Sequence, residues 1–334
     1  MRRFAPVFAL VLLSPLVAEV CFGATPLSRL GSLALVGPFY GSAVLLIREL
    51  ARRRGAGWAG IVLLGAAHGI IEEGLALQSM FNPEMFNAGR LGGRFLGVNW
   101  VWSEWTIGYH VVWSASIPIV IAELMFPSRR NEPWVNKPVL AVAAAIYAAC
   151  ALALGVAFRT TVSPDFHLPL PHAVAAAIVA GGFIALALGW PRSSAIPSIA
   201  SVQEAARKVP SPWLVGTMAF IAAGLLFGLM FLPDAVRHGP LVLAPMAFDL
   251  AAFAGVWALV RHWSSPGSSW SDRHRLALAL GALPVNMLFG FFYVTAGNQT
   301  DRAFLTVVDV ITLALFAFFA WRLRRRADVV SMSS

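Results

Sequence analysis

Charge is what this chain has least of. Asp, Glu, Lys and Arg make up 12% of its 334 residues, against 58% hydrophobic. That excludes a soluble domain of ordinary composition, in which about a quarter of residues are charged. Cysteine is nearly absent. Cys21 and Cys150 are the two present, too few for a disulfide framework and too far apart for a CxxC redox pair. Both fall in or beside apolar stretches and read as small buried hydrophobes. The apolar runs lack alternation of period two and are too long for barrel strands. There is no short internal repeat and no HExxH zinc signature.

What the chain does have is long apolar runs. Ten are present: 4–23, 31–49, 57–78, 103–126, 138–158, 172–190, 212–232, 240–261, 275–294 and 302–322. Each is near the ~20 residues that cross a bilayer core as a helix. The expected fold is all-α: a polytopic helical membrane protein of about ten transmembrane helices, N-in and C-in. The net charge of +9 fits that topology. With both termini in the cytoplasm, Arg29, Arg90, Arg94, Arg159, Arg237 and Arg302 fall outside, and the other 19 of the 25 Lys and Arg fall inside, as the positive-inside rule predicts. The basic charge therefore reads as topology and contact with membrane lipids, not nucleic-acid binding. The expected location is the cell (plasma) membrane. The start, MRRFAPVFALVLLSPLVAEVCFGA, resembles a signal peptide, but Glu19 in its apolar tail favours an uncleaved first span.

A Ser- and Pro-rich stretch, 191–211, reads as a cytoplasmic linker whose QEAARK piece suits an interfacial turn of helix. It divides the chain into a membrane domain of six spans, 1–190, and one of four, 212–334. The longest loop, 79–100, mixes Met80, Phe81, Met85, Phe86, Phe95 and Leu96 with glycines. Two readings stay open for it: a re-entrant segment or lid, and a loop at headgroup level. Trp102, Trp105, Tyr109 and Trp113 form a stripe at helical spacing that reads as packing.

The third run contains HGIIEEGLA, residues 68–76. A charged side chain at mid-bilayer costs about 2.5–3.5 kcal/mol on insertion scales, so ionisable residues there face the bundle interior and are candidates for function. His68 and Glu72 are four apart and share a helix face. Glu73 points about 100° away, so one glutamate is expected to face a cavity and the other a neighbouring helix. On the next, antiparallel run, His110 lies at matching depth, within reach of Glu72 or Glu73. Its face also carries Ser103, Thr106 and Ser114. Asn286, Asp249, Asp309 and Glu19 lie at similar depth and suggest one polar layer, although isolated polar residues also serve as hydrogen-bond glue. Glu104 and Glu123 lie near span ends and suit snorkelling or interfacial roles.

A buried glutamate beside a histidine is suited to activating water as a general base, with a histidine or Asn286 stabilising an oxyanion. The expectation is a site without cofactor. The alternative is a divalent metal held by His68, Glu72 and His110.

GAAHGIIEE, followed one helix later by His110, resembles the CPBP (CAAX protease and bacteriocin-processing) family of intramembrane proteases. The resemblance covers Trp58 to Ile117. It implies a peptidase in which Glu72 is the base, Glu73 its partner, His110 a helper and Asn286 the late asparagine. Leu77 stands where the family has an arginine, Thr106 where it has an aromatic, and Ala282 where it has a histidine. The expected substrate is a membrane-embedded peptide or small molecule. Two other readings remain. One is a proton-coupled transporter built of five-span halves, with helix breaks at Ser14–Pro15 and Gly181–Gly182 and the buried acids as relay. The other is a non-catalytic scaffold or immunity-type protein.

Overall fold

The computed structural model describes residues 4–190 and 209–332. The proposed linker 191–211, with its QEAARK turn, lies almost wholly outside the described residues. Among those described, nine helices are long and apolar enough to cross a membrane. They are α2 (Leu27–Arg54), α3 (Gly57–Ala76), α4 (Trp100–Met125), α5 (Lys137–Val162), α6 (Leu170–Gly189), α7 (Pro212–Phe231), α8 (Pro240–Trp263), α9 (Asp272–Val294) and α10 (Gln299–Leu323). A shorter apolar helix, α1 (Ala5–Val20), precedes them. Every helix coincides with one of the ten apolar runs, and the chain is an all-α, multi-pass membrane protein.

Local chemistry sets the ends. Asn99 caps α4 by accepting from the Trp102 amide at 2.9 Å, and Asn136 caps α5 by accepting from Val139 at 3.0 Å, as N-cap side chains do. Gly55 closes α2 with φ +69°, the left-handed conformation glycine adopts most easily. The helical pattern then widens at several points to i→i+5 bonding. The Leu77 amide bonds Glu72 O at 2.8 Å, Ser163 bonds Phe158 O at 2.8 Å and Thr295 bonds Gly290 O at 3.0 Å. These π segments cover Ile70–Ala76, His110–Ser116, Phe158–Val162 and Gly290–Val294, and another closes α1 at Leu16–Val20. After Ser14–Pro15, where a break was expected, the helix continues to Val20 with π-type bonding. At Gly181–Gly182 there is no break: α6 continues to Gly189, since glycine lowers helix propensity without removing a hydrogen bond.

Close contacts divide the described chain into two units. Residues 4–18, 31–190 and 225–249 form one; 19–30, 209–224 and 250–332 form the other. The division therefore does not follow the linear split at the linker, because packing groups helix halves by neighbour rather than by chain order. In the first unit, α2 packs on α1 and α5, and α3 packs on α4 and α6. The aromatic stripe of α4 is packing: Trp105 and Trp113 meet Phe227 edge-on at 5.5 and 5.2 Å. In the second unit, α9 packs on α10.

One end of α2 carries a buried charge cluster. Arg48 is fully buried. Its guanidinium meets Glu49 at 2.7 Å and Glu123 at 3.3 Å, donates to the Arg130 and Glu132 carbonyls at 2.9 and 2.8 Å, and lies 3.5 Å from the Trp134 ring. Glu123 also holds Arg52 at 2.6 Å. Glu123 does not snorkel, and Arg48 is not a free surface charge. Each is neutralised inside the fold, where an isolated charge would be costly.

The 79–100 loop is anchored to the first unit. Gln78, Ser79, Met80, Phe81, Asn82, Met85 and Ala88 are buried, while Phe86, Phe95 and Leu96 are exposed. A two-stranded hairpin pairs Arg94–Phe95 with Val98–Asn99. Asn82 donates to Ser163 at 2.7 Å, His172 meets Leu96 O at 2.9 Å, and Arg237 donates to Arg90 O at 2.6 Å. A Cβ on Gly92, whose φ is +75°, would collide with the Arg237 backbone carbonyl. Gly92→Ala is therefore expected to free the loop. Strain of about 1–3 kcal/mol should appear as faster trypsin cleavage at Arg90 and Arg94, and unchanged cleavage would show that the loop is already loose.

Candidate functional site

The site forms where π segments of two adjacent helices face each other. Glu72 and Glu73 lie in the π segment of α3, and His110 opens that of α4. Such bulges recur at functional sites because they re-aim side chains without ending the helix. Small residues set the approach. A Cβ on Gly65 would lie 3.2 Å from Val111 Cα, and one on Gly69 would lie 3.2 Å from His110 Cβ. This is the four-residue glycine spacing that lets membrane helices pack closely. Gly69→Val is expected to push α4 away at a cost of about 1–3 kcal/mol. The readout is a lower unfolding midpoint in detergent, with Gly181→Val, which meets open space, as control. Equal midpoints would contradict this packing.

His68, Glu72, Glu73 and His110 are all buried and come together. Glu72 Oε2 lies 3.5 Å from His68 Nε2 and 3.5 Å from His110 Nδ1. Glu73 Oε1 lies 3.4 Å from His110 Nε2. One imidazole thus meets both glutamates, where separate directions were expected for them; a π turn rotates less per residue than an α turn. Their other oxygens do diverge. Glu72 Oε1 accepts from the Tyr40 hydroxyl of α2 at 2.8 Å. Glu73 Oε2 accepts from Ser79, whose hydroxyl also accepts from Trp102 Nε1 at 2.8 Å. His68 Nδ1 is 3.0 Å from the Tyr147 hydroxyl of α5, and His110 Nδ1 is 3.0 Å from Ser114 Oγ.

Tyr40, Tyr147 and Ser79 were not among the sequence candidates. A signal for the tyrosines existed: the chain has 4 Tyr against 23 Phe, and a phenol inside an apolar span needs a polar partner. The polar face of α4 contributes only in part. Ser103 and Thr106 bond back to carbonyls of their own turn, Asn99 O at 2.7 Å and Trp102 O at 2.9 Å, and only Ser114 joins the histidine.

The remaining candidates have other surroundings. Asp249 is buried beside Glu104 of α4, carboxyl to carboxyl, so Glu104 has a specific partner. Asn286 and Asp309 belong to the second unit. Asn286 is fully buried on α9. Asp309 bonds Cys21, whose thiol also lies 3.7 Å from Thr312. In the same unit Glu19 accepts from Thr25 at 2.7 Å. A groove of about 520 Å³ lined by Gly182, Ala185, Leu186, Gly189 and Trp190 carries no titratable side chain and plays no part in this chemistry.

Chemically, the centre offers two imidazoles and a carboxylate aimed at a common point, with a second carboxylate holding one ring. It can hold and polarise a water, pass a proton or ligate a cation. No curated protein and no solved structure matches the chain. One family model does, over residues 8–325. Spanning nearly the whole chain, that match shows that the protein belongs to an uncharacterized membrane protein family.

Proposed function

We propose that the protein is a membrane-embedded hydrolase, a glutamate-dependent peptidase acting on a membrane-embedded peptide, with Glu72 as the group that activates water. The observation that carries this reading is the position of Glu72 Oε2, 3.5 Å from a nitrogen of each of two buried imidazoles. Such distances are long for direct hydrogen bonds and short enough for one water to touch all three groups.

In the proposed step Glu72 takes a proton from that water, and the hydroxide oxygen bonds to the scissile carbonyl carbon. The C–N bond then breaks as Glu72 returns the proton to the leaving amine. An imidazole N–H stabilises the oxyanion. Glu73 positions His110, and Tyr147 positions His68. Asn286, in the other unit, is assigned no step. The resemblance of Trp58–Ile117 to the CPBP family supports the reading. We assign the protein to the plasma membrane and, on the positive-inside asymmetry, place both termini in the cytoplasm.

One feature favours a second reading, a proton relay. A polar chain runs from Tyr147 through His68, Glu72, His110 and Glu73 to Ser79 and Trp102. The test follows both activities in one preparation: purified protein in liposomes, cleavage of a membrane-peptide library, and pH-driven uptake. Cleavage lost in Glu72→Gln and His110→Ala supports the hydrolase. Uptake without cleavage, lost in the same variants, replaces it with the relay.

A further inference from the structure

We infer that His68, Glu72 and His110 bind one divalent transition-metal ion of the zinc class. The inference concerns what the centre holds, not which reaction it runs, and stands or falls separately from the hydrolase reading. Ligand atoms of the three residues all lie within 4.8 Å of one another, and the two histidine–glutamate distances are both 3.5 Å. Ligand bonds of about 2.0–2.1 Å in a tetrahedral site place neighbouring ligand atoms about 3.4 Å apart. The carboxylate already stands at that spacing from both rings. Three polar groups that converge at this spacing match the ligand separations a small cation requires.

A second observation points the same way. His68 is buried, and its Nε2, facing Glu72, makes no hydrogen bond. Leaving such a nitrogen unbonded is costly, and a metal bond would satisfy it.

The outer contacts also suit an ion. A metal-binding histidine usually has its other nitrogen held by a carboxylate, carbonyl or similar group. Here His68 Nδ1 has the Tyr147 hydroxyl at 3.0 Å and His110 Nε2 has Glu73 at 3.4 Å. The ligand carboxylate is itself held, its Oε1 accepting from Tyr40 at 2.8 Å. His110 Nδ1 would exchange its 3.0 Å contact with Ser114 for the ion, which a rotation of the serine allows.

Two imidazoles and one carboxylate select against magnesium and calcium, which take oxygen ligands, and suit zinc, iron or cobalt. Three protein ligands leave a fourth position open, as in catalytic zinc centres.

The test uses the full-length protein in detergent, loaded with Zn²⁺ and separately with Co²⁺, then desalted. The expected result is about one ion per chain by elemental mass spectrometry. Co²⁺ should give visible absorption of the tetrahedral type, a readout on the wild type that no variant's folding can confound. His68→Ala and His110→Ala should each lose the ion, Tyr147→Phe should bind about 10–100-fold more weakly, and Ser114→Ala should keep it. Failure of the wild type to retain either ion overturns the inference, as does full retention by both histidine variants. Wild type that retains neither ion yet cleaves peptide would sink the metal and leave the hydrolase. Loaded protein that cleaves nothing, loses its ion in both variants and gives the Co²⁺ spectrum would do the reverse.

Discussion

Glu72→Gln is expected to lower peptide cleavage by about 10²–10⁴-fold, the usual worth of a positioned acid–base group, while leaving the chain folded. The amide has the shape of the carboxylate, and its oxygen still accepts from Tyr40, so the 2.8 Å bond that orients the side chain is kept. What is lost is the charge at Oε2, the atom between the two imidazoles. An amide there accepts no proton from water and is a poor metal ligand, so the prediction holds with or without an ion. Glu73→Gln is expected to act more weakly, because Glu73 touches His110 and Ser79 and works through the ring it holds. The measurement is cleavage in liposomes alongside the unfolding midpoint of each variant. Retained cleavage in Glu72→Gln with an unchanged midpoint would remove Glu72 from the chemistry. Lost cleavage with a collapsed midpoint would make its role structural.

Arg48→Met is expected to destabilise the first unit by about 3–5 kcal/mol, the cost of breaking a buried ion pair from one side. Methionine replaces much of the volume but none of the donors. Glu49 and Glu123 would lose their innermost counter-charge, and the Arg130 and Glu132 carbonyls would lose their guanidinium bonds. Those bonds tie the segment after α4 to α2, so loss of order should begin there. Arg52 still pairs with Glu123, and Arg53 with Glu49 at 3.2 Å, which places the loss at the lower end of that range. Denaturant unfolding in detergent micelles is the measurement. A single-variant loss below about 1 kcal/mol, the worth of a surface pair, would mean that water reaches the cluster.

Part of the site was legible in the sequence. His68 and Glu72 at a four-residue spacing, adjacent glutamates inside an apolar run, and His110 at matching depth on the next helix are local facts, and two antiparallel neighbours bring such residues together. Tyr40 and Tyr147 were not legible as partners. They lie 32 and 79 residues from the side chains they hold, and whether a phenol on α2 or α5 points inward depends on how those helices rotate against α3. That one imidazole meets both glutamates was not legible for a related reason: nothing in the composition marks where an α turn widens into a π turn. Glu123 looked like a span-end charge because the sequence shows its depth but not the Arg48 that meets it.

Class and helices follow from the sequence alone. The free energy of placing a span in a bilayer is close to a sum over its own residues, so ten apolar runs became ten helices without reference to any neighbour. The pairings come from helix packing: which carboxylate sits between the imidazoles, which arginine is buried, and which helix halves belong to which unit. Lipid chains are as apolar as the side chains facing them, so no hydrophobic term chooses among helix neighbours. That choice falls to close packing at residues such as Gly65 and Gly69, and to polar groups that need partners.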